Sequence, residues 1–194
     1  QRLNGDFGVL GVADIAVPQD FATSNTLYVA TGSRDEPIHG SMGIMKSTNG
    51  GTTWSQTDIT YTPGDGGYVF RLLIDPTNSS KLIAATSLGI FISTNGGDTF
   101  LSTSMVGLDM NDLEFHPTNS NYVYAGSRWN GKIYRSIDGG WTWEERYSTG
   151  GTRVELAVTA SSPNTIFAIA AHPDGGMQGI YKSTSSGGNF FQIK

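Results

Sequence analysis

The chain contains no cysteine. That excludes disulfides, cysteine-ligated zinc and thiol nucleophiles, and leaves the compartment open. Charge is also scarce: Asp, Glu, Lys and Arg make up 15% of the 194 residues, against the usual quarter. The net charge is −5 and the 12 Lys and Arg form no basic stripe. A nucleic-acid partner is therefore disfavoured, since neutralising phosphates needs clustered cations. The three histidines, His39, His116 and His172, lack metal-ligand spacing; His116 sits in a turn and reads as structural. No apolar run is long enough to span a bilayer, and no segment shows a helical period. What the chain has in quantity is glycine, 26 residues, beside 37% hydrophobic content. This is the make-up of a turn-rich domain with one sizeable core.

One eight-residue pattern occurs four times. It runs Ser47-Thr-Asn-Gly-Gly-Thr-Thr-Trp54, Ser93-Thr-Asn-Gly-Gly-Asp-Thr-Phe100, Ser136-Ile-Asp-Gly-Gly-Trp-Thr-Trp143 and Ser183-Thr-Ser-Ser-Gly-Gly-Asn-Phe190, at intervals of 46, 43 and 47 residues. Such a period means one supersecondary unit used repeatedly. In the third position Asn49, Asn95 and Asp138 carry an oxygen that can bond backbone N–H groups two residues on and so build the turn. Gly51, Gly97, Gly140 and Gly187 supply positive φ. The eighth-position ring is expected to fold back and bury itself over its own hairpin. Ser185 is the poorest match in the third position, so the fourth turn is expected to be the loosest.

Short runs rich in β-branched and aromatic residues flank each turn. In the second unit they are Arg71–Ile74, Leu82–Thr86 and Gly89–Ile92, and in the third Asp112–Phe115, Tyr122–Ser127, Lys132–Arg135 and Thr142–Tyr147. Bounded by Gly, Pro, Asn and Ser, they read as strands joined by tight turns. Four antiparallel strands per unit, repeated radially, predict an all-β fold, the β-propeller. The expected blades cover about 8–62, 66–106, 107–149 and 150–194, with strands A to D running outward from a central channel. Four whole blades leave no strand shared between the ends, so the chain is expected to be a segment of a larger propeller or assembly. The end blades are then expected to meet further blades, another domain or neighbouring copies.

The eight-residue pattern resembles the Asp-box, the bacterial neuraminidase repeat. Together with connectors such as Asp75-Pro-Thr-Asn-Ser79 it resembles sialidases, sortilin-type receptors, two-propeller xyloglucanases, photosystem assembly factors and secreted bacterial surface proteins with sortilin-like repeats. The texture of Arg71-Leu-Leu-Ile-Asp-Pro-Thr-Asn78 and Gly179-Ile-Tyr-Lys-Ser-Thr184 is most like the last group. The resemblance implies a secreted or cell-surface location and a glycan or protein ligand. It makes the box residues Ser47, Asn49, Gly51, Trp54, Ser93, Asn95, Gly97, Phe100, Ser136, Asp138, Gly140, Trp143, Ser183, Ser185, Gly187 and Phe190 structural.

Box turns join strands C and D on one face, so ligands are expected on the other, where the B-to-C and D-to-A connections lie. Aligning the A strands puts Asp14, Arg71, Asp112 and Glu155 in one register near the channel. That ring is either a belt of inter-blade ion pairs or a polar binding site. The B-to-C loops differ in length, as functional loops on a rigid scaffold do. The first gathers Arg34, Asp35, Glu36 and His39; the third holds Arg128 and Trp129; the fourth holds His172 and Asp174. Trp129 beside a cation either stacks on a sugar or partner, or covers the adjacent blade.

The residues argue against catalysis more than for it. The sialidase Phe-Arg-Ile-Pro motif is absent; Phe70-Arg71-Leu72-Leu73 only echoes it. The xyloglucanase class places an Asp in a Thr-Asp-Val-Gly-Gly turn, where this chain has Thr86-Ser87-Leu88-Gly89. A pair drawn from Asp35, Asp112 and Asp174 leaves glycoside hydrolysis as the alternative. No cofactor is expected. Calcium at Asp35-Glu36 or Asp174 has no loop motif behind it.

Overall fold

The computed structural model describes residues 11–33, 40–62, 64 and 66–193. These fold into four four-stranded antiparallel sheets, each with its strands in sequence order. The first comprises β1 (Val12–Ala16), β2 (Leu27–Thr31), β3 (Ile44–Ser47) and β4 (Ser55–Gln56). The second comprises β5 (Val69–Asp75), β6 (Asn78–Thr86), β7 (Gly89–Ser93) and β8 (Leu101–Ser102). The third comprises β9 (Met110–Phe115), β10 (Val123–Ser127), β11 (Lys132–Ser136) and β12 (Glu144–Ser148), and the fourth β13 (Val154–Val158), β14 (Ile166–Ala171), β15 (Met177–Ser183) and β16 (Phe191–Gln192). The innermost strands β1, β5, β9 and β13 lie side by side in that order.

One expectation fails. The connector between β1 and β2 contains a one-turn helix, α1 (Phe21–Ser24), closed by Asn25 at φ 49°. A single turn is too short to leave a 3.6-residue period in the sequence.

The four eight-residue turns fold alike. In each, the first serine hydroxyl accepts the N–H of the fifth residue, as in Ser93 with Gly97 at 2.8 Å and Ser136 with Gly140 at 2.8 Å. The third-position oxygen accepts the seventh N–H, Asn49 from Thr53 at 2.9 Å and Asn95 from Thr99 at 3.0 Å. Asp138 takes both the N–H and the hydroxyl of Thr142, the latter at 2.6 Å. Ser185 keeps one such bond, from Asn189 N–H at 3.1 Å, and lies 3.4 Å from Ser183 Oγ. The fourth turn lacks the bond that Asn49, Asn95 and Asp138 make to the threonine hydroxyl in the seventh position, and its fourth residue, Ser186, holds φ 51° where the other three turns have glycine.

Each turn is tied by one repeated backbone bond to its own A-to-B connector or, in the second sheet, to the start of strand B: Gly50 to Asn25, Gly96 to Ser80, Gly139 to Asn121 and Ser186 to Asn164. At the opposite end, the start of each B-to-C loop bonds the strand-A entry: Gly32 to Gly11, Ser87 to Tyr68, Arg128 to Asp109 and Ala171 to Arg153. The sheets therefore have two distinct ends, with the box-like turns at one and the variable loops at the other.

Three apolar clusters fill the gaps between consecutive sheets. Phe100, Trp143 and Phe190 belong one to each cluster, so the eighth-position ring packs against the preceding sheet rather than only its own hairpin. This corrects the expectation of rings buried within their turns. Trp54 and Trp143 remain half-buried, and each indole N–H donates to its own turn, to Gly51 O at 3.0 Å and Gly140 O at 2.6 Å.

Candidate functional site

The register Asp14, Arg71, Asp112 and Glu155 forms a repeated clasp between sheets. Asp14 Oδ2 accepts the N–H of Leu72 at 2.9 Å, and Asp112 Oδ2 accepts that of Leu156 at 2.8 Å. Each acid thus bonds the residue just after its counterpart in the next sheet. Arg71 plays the converse part, donating Nε–H to Leu113 O at 3.5 Å. Its guanidinium also lies 3.7 Å from Asp14, 3.6 Å from Asp112 and 3.2 Å from Glu114. One cation on β5 thus serves three carboxylates from the two flanking strands, β1 and β9. Burial pushes the Glu114 carboxyl up to about 7; Arg71 opposes the rise and Asp112 adds to it. Burial likewise raises Asp112, against the bond from Leu156. Asn111 Nδ2 donates to Glu155 at 2.8 Å, and Arg153 lies 3.6 Å from it. These contacts tie neighbouring sheets together as a polar belt.

The third B-to-C loop builds something different. Trp129 is 65% exposed, yet its indole N–H donates to Asp109 Oδ2 at 2.7 Å. Arg128, the cation beside it, is buried. Its guanidinium carbon lies 4.4 Å from the Phe70 ring centroid and 4.9 Å from that of Trp129. Phe70, fully buried at the start of β5, thus contacts a guanidinium that in turn contacts the open indole. Burial raises the Asp109 carboxyl, against the Trp129 hydrogen bond and the Arg128 charge. A side chain held through its N–H and through a cation contact loses little rotamer freedom on binding. It presents an apolar plane to solvent at the end of the sheets away from the box-like turns.

The other candidates do not join this platform. His172 Nδ1 accepts the N–H of Asp174 at 3.1 Å, and the two side chains stand exposed in their own tight loop. His116 is buried between Tyr122 and Tyr124 and accepts the Thr118 N–H, a structural role. Arg34, Asp35, Glu36 and His39, including the Asp35-Glu36 calcium candidate, lie outside the described residues. Among the described residues no three His, Asp or Glu side chains gather as a cation site, and no helix is long and apolar enough to cross a membrane. Sequence reasoning missed Asp109, Glu114 and Phe70. Asp109 precedes β9 by one residue and carries no repeat signal; Glu114 meets Arg71 across 43 positions.

No family model matches the chain, and no curated protein does. Solved structures do. An ancestral GH74 enzyme aligns over 96% of this chain with a TM-score of 0.74 and 25% identity. A GH74 enzyme from Niastella koreensis aligns over 95% with a TM-score of 0.67 and 24% identity, and the GH74 xyloglucanase from Xanthomonas campestris over 97% with 0.66 and 13%. The fold is a β-propeller. This chain spans 24%, 30% and 39% of the length of those three proteins. Its four sheets are the propeller's blades.

Proposed function

We propose that this chain is a segment of an extracellular Asp-box propeller of the sortilin-like repeat type that binds a neutral glycan without hydrolysing it. The reading rests on one observation, the exposed Trp129 ring pre-set by Asp109 and Arg128. Sugar rings present apolar C–H faces, and an open indole plane matches them in size and polarity. The net charge of −5 disfavours polyanionic ligands and leaves neutral polysaccharides, such as xyloglucan-type β-glucans, as the better fit.

The rival reading is a hydrolase fragment, which the likeness to GH74 enzymes favours. Against it, Ser87 stands where the xyloglucanase pattern has Asp. The carboxylates near the loop end are also engaged: Asp14, Asp112 and Glu114 around Arg71, and Asp109 with Trp129. A glycan array probed with the wild-type chain and with Trp129→Ala tests the proposal. Binding to neutral β-glucans that the variant loses supports it; equal signals from both sink it. Release of reducing sugar by the wild-type chain establishes the hydrolase instead.

A further inference from the structure

The first and third joints between neighbouring blades bring the same two positions to the turn of the following blade. Tyr28 pairs with Lys46 across β2 and β3, and Tyr124 pairs with Arg135 across β10 and β11. The pairs beside them, Leu27 with Ser47 and Val123 with Ser136, show that the two sets share one register. A Cβ added to Gly97 falls 3.2 Å from the Tyr28 ring. One added to Gly187 falls 2.8 Å from the Tyr124 ring and 3.4 Å from Arg135 Cδ. Tyrosine and cation thus lie together against the turn. In the second joint the register holds Ile83 and Ile92, and the packing there is apolar.

The first joint satisfies both polar groups. Tyr28 donates its hydroxyl proton to Gly96 O, the fourth residue of the turn, at 2.9 Å. Lys46 Nζ meets the carboxylate of Asp98, the sixth residue, at 2.9 Å. The third joint lacks that carboxylate, because its sixth residue is Gly188. Arg135 instead donates to the fourth-position carbonyl, Ser186 O, at 3.3 Å, the counterpart of the carbonyl that Tyr28 holds in the first joint. Tyr124 is wholly buried, and its hydroxyl is left with no hydrogen-bond partner. Arg135 Nε is buried and unpartnered as well. The neighbouring Ser186 hydroxyl gives its proton to Asn164 Oδ1 at 2.7 Å. Glu144 stands opposite Arg135 across β11 and β12, but its carboxylate meets Arg146 at 2.7 Å. Arg146 also donates to Gly188 O at 3.1 Å, which brings a second guanidinium to the same turn. Among the described residues Arg135 has no carboxylate within ion-pair distance.

A buried hydroxyl and a buried cationic N–H without partners are costly to the fold. Both groups have a proton to give, and a guanidinium has no capacity to accept. Their complement is an acceptor with one negative charge, which is what Asp98 supplies to Lys46. We infer that the third joint binds a small monovalent anion between the Tyr124 hydroxyl and the Arg135 Nε–H, in the role that the Asp98 carboxylate fills in the first joint. Arg135 is only half-buried, so the ion has a route in from the rim. Binding there ties the third blade to the fourth and makes the stability of that joint depend on the anion in solution.

Chloride is the probe. Urea unfolding of the whole chain is followed from roughly 1 mM to 300 mM chloride, with isethionate holding the ionic strength constant. The wild-type midpoint is expected to rise and then saturate, as for a ligand that binds only the folded chain. Gly188→Asp places a carboxylate at the position of Asp98 and is expected to flatten the chloride series. Its Cβ meets Ser185 O at 3.0 Å. Gly188→Ala carries the same crowding without the charge and is expected to keep the wild-type dependence. Tyr124→Phe is expected to weaken the chloride affinity by about tenfold. Line broadening of the chloride NMR signal by the folded chain gives a readout independent of stability. It is expected with the wild type and is expected to be lost in Gly188→Asp. A flat wild-type series without broadening leaves both donors to water and overturns the inference. Broadening that persists unchanged in Gly188→Asp and in Tyr124→Phe puts the ion elsewhere and overturns it as well.

Discussion

Trp129 donates its indole N–H to Asp109 at 2.7 Å while its ring stays open to solvent. An indole whose only polar atom is satisfied by the protein has just its apolar plane to offer a ligand. The contact joins a B-to-C loop to the residue just before β9, so the platform belongs to the scaffold rather than to a free loop.

Arg128 supports that platform from below and should matter more for stability than Trp129 does. Arg128→Ala removes a buried guanidinium from between Phe70 and Trp129 and is expected to destabilise by about 1–3 kcal/mol. Arg128→Lys is expected to rescue poorly, because a planar guanidinium stacks where an ammonium does not. Urea unfolding of the three proteins checks both; full rescue by lysine contradicts the stacking argument.

The box glycines should be unequal. Gly187→Ala combines φ 72° with a Cβ 2.8 Å from the Tyr124 ring, while Gly51→Ala combines φ 87° with nothing closer than Trp54 at 3.5 Å. The expected losses are about 2–4 kcal/mol for Gly187→Ala and about 1 kcal/mol for Gly51→Ala. Equal losses by thermal denaturation contradict the assignment of this glycine to the joint with the preceding blade.

Glu114 predicts a pH dependence. Its carboxyl sits at about 7 in the folded chain against 4.5 in its absence of burial, so the folded state holds that proton more tightly. The stability this gives is fully present below about pH 4.5 and is lost as pH rises through about 7. Wild-type stability minus that of Glu114→Gln is expected to fall by up to about 3 kcal/mol from pH 5 to pH 8. A difference that stays flat over that window contradicts the burial of a carboxyl beside Arg71.

Asp138 predicts the opposite trend. Burial raises its carboxyl, but the hydroxyl and N–H of Thr142 and the hydroxyl of Ser136 outweigh it and hold the group below the ordinary aspartate range. Its contribution is present above the unfolded value and is lost as pH falls through the folded one. Asp138→Asn is expected to lessen the acid-induced loss of stability below about pH 4, read as the midpoint of urea unfolding at successive pH values. An unchanged acid limb contradicts the account of this turn.

The blades were legible because each turn carries its own chemistry in eight consecutive residues, and four copies fix the period. The register of Asp14, Arg71 and Asp112 was legible from the same alignment. What these residues hold was not, since the N–H of Leu72 and of Leu156 leave no mark on the sequence. The burial of Arg128 was hidden for a similar reason. Its second ring, Phe70, lies in a different blade 58 positions earlier. The one-turn helix α1 and the inter-blade role of Phe100 and Phe190 likewise depend on neighbours that only the fold brings together.

The most direct test of the account is a fluorescence and affinity-electrophoresis titration of the chain with xyloglucan and other neutral β-glucans, run on wild type and Trp129→Ala. The account predicts a saturable change in tryptophan emission and gel retardation for the wild type. It predicts loss of both in the variant, which stays folded while losing about 1–2 kcal/mol through the broken Asp109 hydrogen bond and Arg128 contact. Retardation of the variant equal to that of the wild type, with its fold intact, would contradict a glycan site built on Trp129.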